Sequence, residues 1–579
     1  MSRIITRTVD AQAFEALRRH GLSPVLARIY AARGIARVEQ LETELTRLIP
    51  YHHIRNIGLM ACILADAIAS GKRLLIVADY DSDGATACAV GLRILRQFGA
   101  LVDYLVPNRF EYGYGLTPEI VELAHKTRQP DILITVDNGI ASIDGVAAAN
   151  ALGMQVLVTD HHLPGDALPD AAAIINPNQP GCSFPSKSIA GVGVIFYLML
   201  ALRAELRLRG AFPDDRGPNL ASFLDLVALG TVADVVRLDD NNRIMVQQGL
   251  KRIRKGAACM GIQALLKITR RNYARTSTYD LGFILGPRLN AAGRLDDMSL
   301  GIECLTTDDP VYAEHIARQL DALNIQRREI ESDMHESALS MLENRLNAEN
   351  GKIQQAHSVC LYDQSWHQGV IGILASRIKE RYHRPTIIFA PGNTGEMKGS
   401  GRSIPGFHLR DALDLVSKRH PSLIVKFGGH AAAAGLTIQE GNFMSFCDAF
   451  EQTAQGLLAS ADLTRVIETD GDLAEPEINV ELAQQLMQQV WGQGFPQPTF
   501  HAQFYVESQR VVGGKHLKLK LKKFESNTLY DAILFFHNDL LPDVINAVYQ
   551  LQLNEFNGRT TLQLMLDHWL DPHEKIPGA

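Results

Sequence analysis

The sequence predicts an α/β protein of several domains: a parallel-sheet domain, a long connecting helix, a second, smaller α/β domain and a C-terminal region richer in strand. Three observations predict it. Between residues 50 and about 270, apolar runs of strand length alternate with helical segments, and three of those runs end in acid or imidazole. From about 310 to 350 the chain contains AEHIARQLDALNIQRREIESDMHESALSMLENRL, with neither Gly nor Pro and with apolar residues at helical spacing. Near the end, HLKLKLKKF (516–524) alternates leucine with a basic residue at the two-residue period of a strand.

A chain of 579 residues is too long for one core and implies three or four domains. Its apolar content, 46%, is that of a globular protein. The formal charge of −7 is no signature of a nucleic-acid binder, so any such contact must come from local basic surface. Cys62, Cys88, Cys182, Cys259, Cys304, Cys360 and Cys447 are scattered, without CxxC spacing. This argues against a disulfide framework or zinc ribbon and for a reducing cytoplasm. The opening MSRIITRTVDAQAF has no apolar h-region, so no secretory signal is expected. The longest apolar run, Ile189 to Leu202, is 14 residues long, too short to span a bilayer, and reads as a buried helix.

Residues 1–49 read as helical, with LSPVLARIYAARGI the clearest amphipathic piece and no visible chemistry. Leu74 to Val77 reads as a buried parallel strand. Asp79, Asp81 and Asp83 follow it at alternate positions, and Gly84 opens a helix that ends at Gly99, a suitable cap. Acids at the carboxyl end of a strand lie where open α/β sheets bind ligands. Charges this close raise one another's pKa unless a cation neutralises them. The strand Leu101 to Val106 leads into PNRFEYGYG, where Arg109 could grip a phosphate bidentately or pair with Glu111, and Gly113 and Gly115 suggest a flexible loop. Ile132 to Val136 ends in Asp137-Asn138-Gly139, and Val156 to Thr159 ends in Asp160-His161-His162. Asp and Asn are also ordinary turn residues after a strand. Three such ends, one with adjacent histidines, make a site the better reading. Carboxylates with few imidazoles and no thiolates suit manganese or magnesium over structural zinc. In DLVALGTVADVV (225–236), Asp225 and Asp234 flank one apolar stretch, and either could be the acid that matters.

Further along, PRLNAAGR (287–294) offers Arg288, Asn290 and Arg294. Residues 355 to about 455 alternate strand and helix again. There GSGRS places Ser400 and Arg402 in a glycine-rich loop whose N–H groups could face phosphate oxygens. GGHAAAAG sets His430 among small residues that permit close approach, although a lone histidine there is more often structural. Taken alone, the Lys518, Lys520 and Lys522 stripe is a solvated sheet face. Tyr530, Phe535 and Phe536 lie nearby, the two phenylalanines being candidate core residues.

The order DYDSDG, VDNG, TDHH and GTVADVV resembles the four motifs of the DHH phosphoesterase family. The longer strings PRLNAAGR, WHQGVIGILASRI (366–378) and GGHAAAAG resemble that family's bacterial single-strand-specific exonuclease branch, over residues 50 to beyond 500. The resemblance implies a DHH catalytic domain at 50–270 after the helical segment 1–49. A linker with the long helix (271–350), a DHH-associated substrate-binding domain (351–460) and an OB-like nucleic-acid-binding domain (461–579) would follow. It further implies a metal-dependent exonuclease that degrades single-stranded DNA from the 5′ end to mononucleotides in DNA repair and recombination, with two divalent ions, manganese or magnesium. Carried over by motif, Asp79 and Asp81 serve one ion, Asp137 bridges, and Asp83, His161 and Asp234 serve the other, the division between ions remaining open. Asp234 is preferred to Asp225, which would cap its helix. Asp160 would orient an imidazole, and His162 would face the phosphate or the metal. Arg109, Arg288, Arg294, Ser400, Arg402 and His430 would anchor the strand, with Lys518, Lys520 and Lys522 tracking it on an OB strand. A helicase and a single-strand-binding protein are candidate partners, and a monomer without membrane segments is expected. The alternatives are a phosphodiesterase for short oligonucleotides or cyclic dinucleotides, and a non-catalytic replication or repair scaffold.

Overall fold

The computed structural model describes residues 2–108, 112, 115–213, 216–348, 356–393, 395–524, 526–556 and 559–572. It divides into two compact units, one of Met1–Ile5 with Ala322–Ile467 and the other of Thr6–Asp321 with Glu468–Ala579. Among the described residues no helix is long and apolar enough to cross a membrane.

The chain opens on strand β1 (Ser2–Thr6), then helices α1 (Ala11–Arg19) and α2 (Pro24–Ala31), each started by a side-chain cap, Asp10 and Ser23. After α3 (Ile57–Ala69), β2 (Arg73–Ala78) enters the larger unit's sheet and α4 (Ser82–Gln97) leaves it. There follow β3 (Leu101–Leu105), α5 (Pro118–Thr127), β4 (Ile132–Val136), α6 (Ile143–Ala151), β5 (Gln155–Thr159) and β6 (Ala173–Ile175). All five strands are parallel, in the order β3-β2-β4-β5-β6. The connection from β2 goes to one side and that from β3 to the other, so the sheet reverses direction between β2 and β4. That switch point leaves a crevice at the carboxyl ends of those two strands.

Both faces of the sheet are covered, which is why its strands read as unbroken apolar runs. Leu75, Val77, Leu133, Val156 and Val158 pack with residues of α5 and α6. On the other face, Ile76 meets α4 and α7 (Gly191–Leu208), where Gly91 leaves room for Ile76 and Ile195. Helix α4 begins at Ser82 rather than at Gly84, because the Asp81 carboxylate accepts the Asp83 and Gly84 N–H groups and starts the helix two residues earlier.

Helices α8 (Leu224–Ala233), α9 (Asp240–Arg254) and α10 (Met260–Ile268) lead to a π-turn (Asp280–Leu285) that runs directly into α11 (Gly286–Leu295). Then come α12 (Ser299–Thr306) and the 39-residue α13 (Pro310–Ala348). Residues 271–321 belong to the same compact unit as the parallel sheet. Asn290 of α11 accepts the N–H and hydroxyl of Ser82, and this ties the segment to the start of α4.

In the other unit, β7 (Val359–Tyr362), α14 (Ile371–Tyr382), β8 (Thr386–Pro391), β9 (Glu396–Arg402), α15 (Leu409–Arg419), β10 (Lys426–Gly429), β11 (Ala433–Gln439) and α16 (Phe443–Leu457) build a mixed sheet of order β10-β11-β9-β8-β7. Along β8, Ile387 and Phe389 face one core, and Ile388 and Ala390 face another that includes Met334, Ala338 and Leu342 of α13. The expected glycine-rich loop around Ser400 and Arg402 is instead strand β9. Its glycines make room for the core: a Cβ on Gly399 would lie 2.6 Å from both Leu436 and Phe389. The backbone is engaged in the ladder with β8 and β11 rather than turned toward a ligand.

After β12 (Arg465–Thr469) and α17 (Val480–Gln488), strands β13 (Phe500–Val512), β14 (His516–Lys523), β15 (Leu529–Leu534), β16 (Val544–Phe556) and β17 (Arg559–Leu570) close a barrel of order β13-β14-β15-β17-β16. This is the five-stranded connectivity of an OB-fold, in which strands two and three, here β14 and β15, form the usual binding face. Leu517, Leu519 and Leu521 are buried inside it.

Candidate metal centre

The switch-point crevice is lined by the ends of β2, β4, β5 and α8. Asp79 follows β2, is buried, and accepts its neighbour Tyr80's N–H at 2.8 Å. Asp81 commits one oxygen, Oδ1, to capping α4. Asp83, one residue into that helix, is fully buried. Its carboxylate accepts the Gly191 and Val192 N–H groups at 2.6 and 2.9 Å, at the start of the 18-residue α7. The positive end of that helix therefore positions Asp83. Burial and the Asp81 charge still outweigh those bonds and push the Asp83 carboxyl up to about 7.

Asp137 follows β4 with φ +62, a conformation seldom adopted by residues other than glycine, and its side chain is buried. Close approach of α7 explains the glycine at 191, since a Cβ there would lie 2.7 Å from the Asp137 Cβ. Burial, then the charges of Asp83, Asp81, Asp234 and Asp79, raises Asp137 well above the carboxylate range. Asp234 closes the C-terminal end of α8, and burial followed by the Asp83, Asp81 and Asp79 charges raises it in the same way. Asp225 sits in the first turn of α8, where it accepts the Cys259 N–H at 2.7 Å. The two ends of one helix thus separate the two candidate acids, and only Asp234 faces the crevice.

His161 brings these groups together. Its Nε2 lies 3.1 Å from Asp137 Oδ1, 3.5 Å from Asp234 Oδ2 and 4.0 Å from Asp83 Oδ2. Asp160, buried beneath it, accepts the N–H groups of His161, His162 and Ile140, and meets His162 Nδ1 at 2.7 Å. The imidazole oriented by Asp160 is therefore that of His162. Burial works against a charged His162 ring, but the Asp160 hydrogen bond and the charges of Asp160, Asp79 and Asp81 outweigh it and raise the ring to about 9.

Three sets of ligand atoms converge within 4.8 Å: Asp79, Asp81 and Asp137; Asp83, His161 and Asp234; and Asp137, His161 and His162. Among the described residues, nothing donates a hydrogen bond to the buried oxygens Asp137 Oδ1 and Asp234 Oδ2. Burying several carboxylates together is unfavourable unless a cation compensates them. Oxygen-rich donors with one or two imidazoles and no thiolate fit a hard divalent ion. The donor set therefore fits manganese or magnesium.

The other predicted residues lie in several places. Arg109 falls outside the described residues. Arg288 directs Nε and Nη2 to Asp321 at 2.9 and 2.8 Å and donates Nη1 to Ile284 O, so its guanidinium is engaged within its own unit. Arg294 ends α11 beside Gly293, which packs on the Tyr80 carbonyl. In the other unit, Arg402 Nη1 donates to Ser400 Oγ at 3.2 Å, and both side chains lie against Gly372 at the start of α14. Burial holds the Arg402 guanidinium below its ordinary pKa, and among the described residues no carboxylate pairs with it. His430 is exposed in the turn between β10 and β11, three residues before Ala433, the register partner of Arg402. On the outer face of β14, Lys518 and Lys522 are half-buried and Lys520 is exposed, with Lys520 paired to Asp531 at 3.0 Å. Phe535 and Phe536 are not core residues: Phe536 is 83% exposed and Phe535 44%, whereas Tyr530 is buried. The alternating register accounts for Tyr530, which faces inward opposite Leu521, while both phenylalanines lie beyond the end of β15.

Sequence reasoning missed the framework that holds the acids: Gly191, the α7 N–H groups, and Asn138, which donates to the carbonyls of Val77 and Val136. No local pattern marks Gly191 and the α7 N–H groups, whose partners are distant in sequence, and VDNG displays Asn138 without showing that it bonds to Val77.

Known proteins share this chain's sequence and architecture. The family model described as the DHH family, N-terminal domain, matches residues 73–231, the DHHA1 domain matches 353–456 and the RecJ OB domain matches 469–568. The single-stranded-DNA-specific exonuclease RecJ of Dickeya dadantii is 49% identical over 557 residues, which is 94% of this chain and 96% of the relative. That of Escherichia coli is 48% identical over the same shares. The crystal structure of RecJ from Thermus thermophilus with Mn2+ superposes with a TM-score of 0.81 at 28% identity, covering 98% of this chain and 79% of that one. The Mg2+ complex gives 0.75 at 27% identity, covering 98% and 78%.

Proposed function

This chain belongs to the family of RecJ single-stranded-DNA-specific exonucleases, and from that premise we propose that its metal centre hydrolyses the terminal phosphodiester of single-stranded DNA. The strand is consumed from its 5′ end and released as mononucleotides, in the service of DNA repair and recombination. The observation that carries this reading is the convergence of Asp79, Asp81, Asp83, Asp137, His161 and Asp234 on one crevice.

Asp79, Asp81 and Asp137 would hold one divalent ion, and Asp83, His161 and Asp234 the other. When bound, such ions neutralise phosphate charge and activate a water for in-line attack. The chain supplies the rest. Asp81 and Asp83 are fixed by the helix starts whose N–H groups they accept, so the second oxygen of Asp81 and the remaining lone pairs of Asp83 would meet an ion already oriented. Asp160 fixes Nδ1 of His162, so that the ring's other nitrogen is presented toward the phosphate. Asn138 ties the ends of β2 and β4 so that the two acid clusters keep their spacing.

In the smaller unit, Arg402, Ser400 and the N-terminus of the 12-residue α14 make a second anion-receptive site: a buried guanidinium with no acid beside it among the described residues, a hydroxyl and a helix start. We assign it, with His430, to a strand phosphate. Arg294 contacts the strand beside the Tyr80 loop, and Arg288 does so if it exchanges Asp321 for phosphate. Lys518, Lys520 and Lys522 extend the track on the barrel. The protein works as a cytoplasmic monomer on strands opened by a helicase and covered by a single-strand-binding protein. Its seven cysteines, scattered along the chain without CxxC spacing, suit that compartment.

Digestion of 5′-labelled single strands with manganese, magnesium or excess EDTA tests the reading. Mononucleotide release that depends on metal and stops reversibly with chelator is expected. Activity surviving EDTA, or confinement to cyclic dinucleotides, would overturn it.

A further inference from the structure

One segment of the larger unit has surface chemistry that the metal centre does not use. Residues 267–294 carry Lys267, Arg270, Arg271, Arg275, Arg288 and Arg294 against a single acid, Asp280, in a chain of formal charge −7. That acid accepts the Ser277 N–H and hydroxyl and lies 3.6 Å from Arg271 Nε, while Lys267 pairs with Glu314 and Arg288 with Asp321, so the stretch keeps a basic surface at Arg270 and Arg275 in particular. Within this basic stretch, Tyr279 and Phe283 stack with ring centroids 5.1 Å apart and planes 28° apart. They are nonetheless 52% and 69% exposed. Burying such rings is strongly favourable, and a stacked aromatic pair left in water at this size is unusual for a surface without a partner.

Position distinguishes this pair from an incidental surface feature. Phe283 lies on the π-turn, a widened helical turn of a kind frequent at functional sites. On either side of it, Gly282 and Gly286 bring the helix against the last turn of α8. Their Cβ positions lie 3.2 Å from Val232 and 3.1 Å from Ala233, the two residues before Asp234. The turn that carries Phe283 therefore packs on the end of the helix that delivers Asp234 to the metal centre. Val235, immediately after that acid, is 63% exposed and has φ +62, a conformation that β-branched residues rarely adopt. Val235 and, on the turn packed against that helix end, Phe283 and Tyr279 thus make an exposed apolar ledge beside the end of α8, and Arg270, Arg271 and Arg275 are exposed on the same stretch of chain.

Flat aromatic faces amid basic residues suit an unpaired nucleobase, because stacking takes any base while the bases' phosphates meet the cations. Resting on the exonuclease reading, we infer that Tyr279 and Phe283 form a base-stacking platform at the mouth of the metal centre. It takes an unpaired base of the bound strand, and it makes single-strandedness a requirement, since a paired base offers no free face.

The test uses the full-length protein and a 5′-phosphorylated thymidine 20-mer. Equilibrium binding is read by fluorescence anisotropy in EDTA, and KM and kcat are read with manganese. The double variant Tyr279→Ala/Phe283→Ala should bind about tenfold more weakly, with KM raised to match and kcat within about twofold. Strands carrying one abasic spacer, moved through the first positions from the 5′ end, supply the decisive comparison. At one position the wild type should lose the same factor that the variant has already lost, and the variant should lose nothing further. Phe283→Trp should restore binding. Phe283→Leu keeps apolar bulk without a flat face and should bind like the alanine variant, which separates stacking from any folding defect in the double variant. Unchanged binding in both Phe283→Leu and the double variant, or equal sensitivity of variant and wild type to every abasic position, would overturn the platform and leave the ledge to a protein partner. Failure of the wild type to degrade any single strand would instead overturn the exonuclease reading, and the binding arm would still decide the platform.

Discussion

At the scale of residues, the centre works by holding charge where charge is unfavourable. Asp160 does not line up with the converging ligands, yet it accepts three N–H groups and fixes the ring of His162. Asp160→Asn keeps the shape and removes the charge that fixes the His162 ring. It should lower kcat about 10–100-fold, the usual range for a residue supporting metal ligands. Steady-state rates at saturating manganese, with circular dichroism confirming the fold, check this, and an unaltered kcat would remove Asp160 from the mechanism. Gly191→Ala is a sharper steric probe. Its methyl would fall 2.7 Å from the Asp137 Cβ, so either α7 or Asp137 must move. A loss of about 1–3 kcal/mol in denaturant unfolding is expected, together with a loss of activity beyond what the stability change explains. A fully active, fully stable alanine variant would show that the approach of α7 is not what sets Asp137.

Elements decide which chemical groups reach a common face. Strand β14 shows this on the barrel: its leucines fill the interior and its lysines stand outside, between Arg510 on β13 and Asp531 on β15. If the lysines neutralise backbone phosphates, replacing Lys518, Lys520 and Lys522 with Gln should weaken binding of long single strands. The slope of log affinity against log salt should fall by roughly 0.7 for each lost contact. Lys520 already pairs with Asp531 and should contribute least of the three. Oligomers a few nucleotides long should be unaffected. Titration of short and long strands at several salt concentrations reads both, and an unchanged slope on the long strand would return the stripe to an ordinary solvated face.

Across the whole molecule, distant segments of the chain build one catalytic unit. Residues 1–49 carry no catalytic group, but Arg33 forms a fully buried ion pair with Asp470, Nη1 to Oδ1 at 2.5 Å and Nη2 to Oδ2 at 2.9 Å. Its guanidinium also lies 5.4 Å from the Trp491 ring centre, so the N-terminal helices are clasped to the segment leading into the barrel. Asp470→Ala would leave an uncompensated buried charge, and a destabilisation of about 3–5 kcal/mol is expected from urea unfolding. A change below measurement error would mean that Arg33 finds another partner. Substrate selection is the second property at this scale. A blunt duplex must lose base pairs before its end can reach buried acids, at roughly 1–2 kcal/mol for each step. Its initial rate should fall far below that of the same strand alone, and equal rates would refute selection by strandedness.

Much of this was legible in the chain. The apolar runs before Asp79, Asp137 and Asp160 determined parallel strands, because burial on both faces demands uninterrupted apolar residues, and the acids at their ends determined where chemistry would lie. The Leu/Lys alternation determined an inside and an outside for β14. The gap-free helical periodicity after Pro310 determined a long helix. Where the reading failed, the deciding contacts were long-range. GSGRS contains the glycines of a loop, but Phe389 and Leu436 require those glycines in a strand. The bond from Ser82 to Asn290, 208 positions away, has no mark in either segment. Asp225 and Asp234 are equivalent in local pattern, and only the packing of α8 turns one toward His161 and the other toward Cys259. The sequence by itself thus determined which residue types could do the chemistry and on which kinds of element they sit. Tertiary structure alone decided which acids share a buried volume, because that depends on the approach of α7, α8 and α11, which no local propensity encodes.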